Sequence, residues 1–169
     1  MEREVKLRVK DRALLLERLS KLGAKLVSHR EQQDYYLDNG SLHSRGESLR
    51  VRHDGDKCYL TFKGKLINDE LKLREELEVS VGNCSAALEI MGHLGFVKKI
   101  TVKKVRESYM LKDIIIEVDQ VDELGDFIEV ELRNEMQVKE IKELADKLVV
   151  EWIPIKVGYA DMLLELRKP

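Results

Sequence analysis

The chain has 169 residues, of which 37% are charged and 43% hydrophobic, and its thirty basic residues nearly balance thirty-two acidic ones. These numbers predict one folded domain with a single core and give no support for the broad cationic surface of a nucleic-acid-binding protein. No run approaches the roughly 20 apolar residues that span a membrane, and the N-terminus MEREVKLRVK is too charged for a signal peptide. We therefore expect a cytoplasmic protein without nucleic-acid or membrane partners.

The first elements of the chain repeat. Residues 2–10 alternate like a strand, and Asp11 can cap a helix that Gly23 ends. Residues 74–81 alternate again, Asn83 or Ser85 can cap, and the next helix ends at Gly95. Landmarks in the two units lie 72 residues apart, which predicts two pseudo-equivalent halves in one domain, 1–169.

The remaining elements follow from alternation and turn residues. Apolar spacing predicts a third helix over 137–149, and a short final strand is expected over about 158–166. Turn residues at 38–40 and 54–56 are typical of antiparallel hairpins. Further extended segments are expected at 34–37, 48–53, 57–64, 97–111, 114–121 and 127–133.

The two cysteines, Cys58 and Cys84, lack the spacing of a zinc site or a disulfide framework. We expect both to be free thiols in a reducing compartment.

One face of each predicted strand is charged, and the opposite face is apolar. Arg50 with Arg52 and Glu117 with Asp119 are segregated by sign, whereas a surface that only confers solubility would mix its charges. Two arrangements remain open: a flat sheet with one solvated face, or a curled sheet whose charged faces meet. The curled sheet would bring together carboxylates suited to Mg²⁺ or Mn²⁺ and a cationic cradle suited to phosphates. Since no glycine-rich phosphate loop is present, side chains would have to form the cradle.

The order of motifs resembles the CYTH superfamily. The motifs are Glu2-x-Glu4-x-Lys6, Leu49-Arg50-Val51-Arg52, Thr61-Phe62-Lys63, Arg74-x-Glu76-x-Glu78, Lys104-x-Arg106-x-x-Tyr109 and Glu117-Val118-Asp119 followed by Leu124-Gly125-x-Phe127-x-Glu129-x-Glu131. The resemblance, closest to the class IV adenylyl cyclase branch, implies an α+β fold: an eight-stranded antiparallel closed barrel, the triphosphate tunnel, with helices packed outside. Gly158 stands where the family usually has serine before Tyr159, and Lys156 is expected to reach the tunnel.

The resemblance also implies the site residues. The residues expected to make catalytic contacts are Lys6, Arg50, Arg52, Lys63 and Arg106. The same residues, together with Arg74 and Lys104, are expected to bind the substrate. Divalent Mg²⁺ or Mn²⁺ would be held by Glu2, Glu4, Asp119, Glu129 and Glu131, with Glu76, Glu78 and Glu117 as supporting acids. A homodimer remains open.

Three functions compete. The first is cyclisation of ATP to cyclic AMP and pyrophosphate, and the second is hydrolysis of tripolyphosphate, thiamine triphosphate or a nucleoside triphosphate. The third is binding of polyphosphate or nucleotide without catalysis, which the many acidic positions argue against. Tyr35, Tyr36 and Phe127 are candidates for stacking on a base, although core packing is the simpler interpretation.

Overall fold

The computed structural model describes residues 4–67, 73–131 and 138–168. Eight strands, four helices and a short 3-10 turn at His43–Arg45 follow one another along the chain. The first half comprises β1 (Glu4–Val9), α1 (Arg12–Lys21), β2 (Lys25–Asp38), β3 (Ser48–Asp54) and β4 (Lys57–Lys63). The second half comprises β5 (Glu76–Val81), α2 (Cys84–His93), β6 (Val97–Leu111), β7 (Ile114–Val121), β8 (Gly125–Glu131), α3 (Val138–Lys147) and α4 (Tyr159–Leu166).

The first two helices have the predicted caps. The Asp11 side chain accepts from the backbone N–H of Leu14, and Asn83 does the same for Ala86. Gly23 and Gly95 follow the helices with φ of +81° and +85°, a conformation that glycine adopts without a Cβ clash. The 72-residue spacing of the sequence is therefore a true structural repeat.

All eight strands form one antiparallel sheet in the order β1-β8-β7-β6-β2-β3-β4-β5. If each strand is exchanged with its counterpart four places along the chain, such as β1 with β5, every strand keeps equivalent neighbours. The resulting order is the same one read from the opposite edge. The implied two-fold axis passes between β2 and β6, where Gln32 pairs with Lys104, its own equivalent 72 residues on. Each half contributes its first strand to the other half, so the halves cannot separate into two domains.

The closed barrel that the resemblance implies is not shown. Strands β1 and β5 are the two edges of the sheet, and no ladder joins them within the described ranges. The eight-stranded antiparallel sheet and the α+β class are confirmed.

The outer face of the sheet buries its apolar residues under helices. Helices α1 and α3 cover β1, β7 and β8, with Leu7, Leu15 and Ile141 at most 1% exposed. Helix α2 covers β3 and β4 around Val51. At β5 the expected cover is missing, because Leu77 and Val79 on this edge strand are 58% and 53% exposed.

The predicted final strand is wrong, because residues 159–166 form α4. The buried residues Tyr159, Ala160 and Leu163 follow the helical spacing i, i+1, i+4, and the Gly158 N–H donates to the Asp161 carboxylate at 3.3 Å. Unlike the other helices, α4 packs on the inner face of the sheet, against β6 and β8.

The free cysteines are also wrong, since Cys58 and Cys84 form a disulfide. Their separation of 26 residues carries no motif, but the fold places the outer face of β4 against the first turn of α2, with the two Cα atoms 5.5 Å apart. As for membrane spans, no helix in the described part of the chain has the length and apolar character that one requires.

Candidate functional site

The inner face of the sheet encloses a cavity of about 780 Å³. Inward side chains of β1 to β6 and β8 line it, so the flat, solvated sheet is excluded. The charged lining residues on these strands and before β5 are Glu4, Lys6, Asp34, Asp38, Arg50, Arg52, Lys63, Arg74, Glu76, Glu78, Lys99, Lys104, Arg106 and Glu129.

On one side of the cavity Asp34 anchors two arginines. Its carboxylate, 1% exposed, accepts two hydrogen bonds of 2.6 Å from Arg52, and Arg50 approaches at 3.5 Å. Burial alone would raise the pKa of Asp34, but the charge of Arg50 and the bonds from Arg52 hold that pKa well below 3.8. The two arginines are thus fixed side by side in the cavity wall.

On the other side Asp119 anchors two cations in a similar way. It accepts hydrogen bonds of 2.6 and 2.5 Å from Arg106 and one of 3.0 Å from Lys104. Burial opposes its ionisation, yet these two cations lower the pKa of Asp119. Burial also lowers the pKa of Lys104 to about 8, and Arg106 acts in the same direction. An anion bound beside Lys104 would raise that pKa again.

The strands at both edges carry opposed charges into the cavity. At β1 the Lys6 ammonium lies 2.9 Å from Glu129, which also contacts Arg106. At the other edge Lys63 lies 3.2 Å from Glu76. Cations and carboxylates therefore alternate around the wall, and the cations are held in place by neighbouring acids.

Helix α4 adds an aromatic side chain to the interior. The Tyr159 hydroxyl donates to Asp119 at 2.9 Å, and its ring lies under the Lys6 ammonium, 3.7 Å from the nitrogen to the ring centroid. Burial raises the pKa of Tyr159 well above 10, and the nearby Glu129 and Asp119 reinforce this, so the hydroxyl remains a donor.

Carboxylates suited to a divalent metal occur at β1 and β8. Glu4 and Glu131 are cross-strand partners, and Glu129 lies two residues from Glu131 on the same face. Across the described residues, no three acidic, histidine or cysteine side chains meet at a point that could hold a metal. Mg²⁺ usually takes one or two carboxylates together with substrate phosphates, so this donor set fits an ion that binds with its substrate.

Most predicted site residues line the cavity. The six cations Lys6, Arg50, Arg52, Lys63, Lys104 and Arg106 meet there, as do Arg74, Glu4, Glu76, Glu78, Glu129 and Lys156. Asp119 is fully buried beneath them, Glu117 accepts a hydrogen bond from Ser108, and Glu131 is exposed beside Glu4. Glu2 lies outside the described residues.

Of the aromatic candidates, Tyr36 lines the cavity, whereas Phe127 is buried in the core against Tyr159.

Two central residues were not predicted as site residues. Asp34 stands between Gln33 and Tyr35 without a charged alternation to mark it. The internal repeat could have found it, because Asp34 lies 72 residues before Arg106 and so shares its inward position. Tyr159 was missed as a site residue because the segment was assigned to a strand.

Comparison with known proteins agrees with this geometry. The CYTH domain family matches residues 1–151. A Methanocaldococcus jannaschii protein provisionally named adenylate cyclase is 32% identical over 157 residues, which cover 92% of this chain and 87% of that protein.

Solved structures share the fold. The PH1012 protein of Pyrococcus horikoshii superimposes with a TM-score of 0.84 at 30% identity, covering 95% of this chain and 98% of the other. A Hippeastrum protein, described as an adenylyl cyclase candidate with a dominant triphosphatase activity, has a TM-score of 0.80 at 20% identity and covers 100% and 98%. The match over residues 1–151 and the identity to the archaeal relative show the family: the chain belongs to the CYTH domain family.

Proposed function

We propose that the cavity binds the triphosphate group of a small molecule and that the protein is a divalent-metal-dependent enzyme. The observation that carries this proposal is the convergence of cationic side chains from both halves of the chain on one cavity, among them Arg50, Lys63 and Arg106. Four negative charges on a short, flexible anion match such a cradle, and arginine forks suit phosphate oxygens in particular. The closed tunnel is part of the proposal: bound phosphates would bridge the walls that end in β1 and β5.

Within this proposal the metal is Mg²⁺ or Mn²⁺, and one or two of the carboxylates of Glu4, Glu129 and Glu131 would hold it together with phosphate oxygens. When bound, the metal would neutralise charge on the phosphates and lower the pKa of an attacking hydroxyl. Ligation by Glu2 and Asp119 stays a prediction. Asp119 already accepts from Lys104, Arg106 and Tyr159, which suits it to orient those groups.

The reaction that we place first converts ATP to cyclic AMP and pyrophosphate. The ribose 3′-hydroxyl loses its proton and attacks the α-phosphorus, and the bond from that phosphorus to the bridging oxygen breaks. Lys63, Arg50 and Arg52 would bind the departing pyrophosphate, whose charge grows in the transition state. The name of the archaeal relative supports this choice.

Hydrolysis is the second candidate. The same cations would hold a triphosphate while water attacks the terminal phosphorus and the bond from that phosphorus to the bridging oxygen breaks, which yields orthophosphate and a diphosphate. The description of the Hippeastrum protein as dominantly a triphosphatase favours keeping this reaction open, because its fold covers the whole of this chain.

A product assay tests both reactions. The purified protein is incubated with Mg²⁺ or Mn²⁺ and, separately, ATP, thiamine triphosphate and tripolyphosphate, and cyclic AMP, pyrophosphate and orthophosphate are quantified. Cyclic AMP with equal pyrophosphate supports the cyclase, and orthophosphate without cyclic AMP supports the hydrolase. Triphosphate binding without any product would support the non-catalytic module and overturn the enzyme.

Two adjacent lysines of β6 provide a matched pair of variants for this assay. Lys104 points into the cavity and is 5% exposed, whereas Lys103 is exposed on the outer face. Lys104→Gln is expected to lower kcat/KM by about 10²-fold, the typical loss when one charged donor to a phosphate transition state is removed. Lys103→Gln should retain wild-type activity, and equal losses in both variants would contradict the assignment of the cavity.

A further inference from the structure

The first turn of α4 places one aromatic ring against one side of the cavity wall, formed by β1, β6, β7 and β8. Tyr159 is 4% exposed, and its ring lies 3.7 Å from the Lys6 ammonium of β1 and 5.1 Å from the Lys104 ammonium of β6. One ring therefore contacts cations from strands of both sequence halves, β1 and β6.

Each lysine also contacts a carboxylate, Lys6 that of Glu129 at 2.9 Å and Lys104 that of Asp119 at 3.0 Å. Lys104 faces the like charges of Arg106 and Arg52, and burial disfavours its ionised form. The negative face of an aromatic ring attracts ammonium groups, and the attraction is strongest where water is excluded. Unlike a carboxylate, the ring stabilises the cation without neutralising it, so the lysine keeps its charge for an anion.

The ring itself is held on two sides. Its hydroxyl donates to Asp119 at 2.9 Å, and Phe127 packs against it with ring centroids 5.0 Å apart and planes inclined by 59°. Phe127 does not share the lysine contacts: its own ring lies near Arg8 instead. Tyr159 contacts the lysines and Phe127 does not, so variants of these two residues can distinguish a loss of lysine positioning from a loss of packing.

We propose that Tyr159 is a positioning residue: its ring seats Lys6 and Lys104 at the spacing that a triphosphate requires. This inference rests on the proposed function, since it concerns how the same cavity binds its anion. It adds to that function a residue that contacts no phosphate itself and acts through two lysines.

The test uses Tyr159→Phe, followed by mono-, di- and trifluorinated phenylalanine at position 159. Fluorine withdraws electron density from the ring face while leaving its size nearly unchanged, so it weakens cation binding without opening a cavity. The probe is tripolyphosphate, titrated calorimetrically with and without Mg²⁺. Affinity is expected to stay within about threefold in Tyr159→Phe and to fall stepwise to about tenfold below it with the trifluorinated ring.

Packing is controlled with Tyr159→Leu and Phe127→Leu, each compared by thermal melting. Both should lower Tm, but only Tyr159→Leu should also weaken tripolyphosphate binding by tenfold or more. The inference would be overturned if tripolyphosphate affinity did not change across the fluorinated variants. An equal loss of affinity in Phe127→Leu would also overturn it. If the wild-type protein bound no tripolyphosphate, the proposed function itself would fail, which distinguishes the two failures.

Discussion

Asp34–Arg52 and Arg106–Asp119 are equivalent pairs in the two halves, with the acid and the base exchanged. Asp34 of β2 pairs with Arg52 of β3, and across the pseudo-two-fold axis Arg106 of β6 pairs with Asp119 of β7. Both are direct cross-strand partners joined by two hydrogen bonds. The repeat preserved the geometry of the pair while the acid and the base changed strands. In each half a cross-strand aspartate therefore fixes one arginine at the cavity. This arginine lies on β3 in the first half and on β6 in the second.

We expect Asp34→Asn to be strongly destabilising. The amide cannot balance the charges of Arg50 and Arg52, which are each 8% exposed, and leaving a buried charge unpaired typically costs about 3 to 5 kcal/mol. For a chain of this length the loss corresponds to a Tm lower by roughly 6 to 20 °C. Thermal melts by circular dichroism measure it. Asp56→Asn, at an exposed turn, is the matched control and should melt like the wild type.

The sign of the pH dependence follows from the lowered pKa of Asp34. A carboxylate with a pKa depressed by folding stabilises the native state above its unfolded value of 3.8, and this contribution disappears as pH falls toward the folded value. The stability difference between wild type and Asp34→Asn should thus be constant above about pH 5 and shrink below about pH 4. A difference that grows in acid would contradict this account.

At the scale of elements, the disulfide joins β4 to α2. Helix α2 has a single buried residue, Ala87, so side-chain burial holds it weakly. The bond between Cys58 and Cys84 closes a loop of 26 residues that contains the edge strand β5. It therefore constrains two elements that have few other contacts.

Reduction of this bond should lower the free energy of unfolding by roughly 3 to 4 kcal/mol, the loop-entropy value for a loop of this size. Urea unfolding with and without dithiothreitol measures the change. The double variant Cys58→Ser/Cys84→Ser is the control, since reductant should leave it unaffected. A wild-type protein whose midpoint ignores dithiothreitol would show that the bond contributes nothing to stability.

The elements that could be predicted from the sequence are those with a local physical marker. Caps at Asp11 and Asn83 and the glycines after both helices defined α1 and α2, and alternation defined most strands. Helix α4 was missed because it follows Gly158, which has no side chain to mark a helix start, although its buried residues Tyr159, Ala160 and Leu163 have helical spacing. The disulfide was missed because it depends on packing between elements, which no spacing encodes.

At the scale of the whole molecule, the internal repeat and the charge pattern of the strands predicted that the charged faces meet. They did not predict how the edge strands β1 and β5 lie relative to each other. Pairing of β1 with β8 brings together residues such as Glu4 and Glu131 from opposite ends of the sequence. Closure depends on the approach of β1 to β5, which hydrogen bonds do not join in the described chain. What links these edges is the shared cavity, since Lys6, Glu76 and Glu78 all line it.

A bound triphosphate should therefore protect both edges of the sheet at once. Edge strands open locally at low cost, and an opening that releases ligand becomes rarer by the factor 1 + [L]/Kd. With tripolyphosphate and Mg²⁺ at about 100 times Kd, amide exchange of β1 and β5 should slow by about 100-fold where opening breaks the site. Hydrogen exchange with mass spectrometry measures both strands. Orthophosphate at equal ionic strength is the control, because it carries the same chemical group without the chain that would reach from one wall to the other. Protection confined to β1 would mean that the phosphates contact one half alone, and the two edges would then not act as walls of one tunnel.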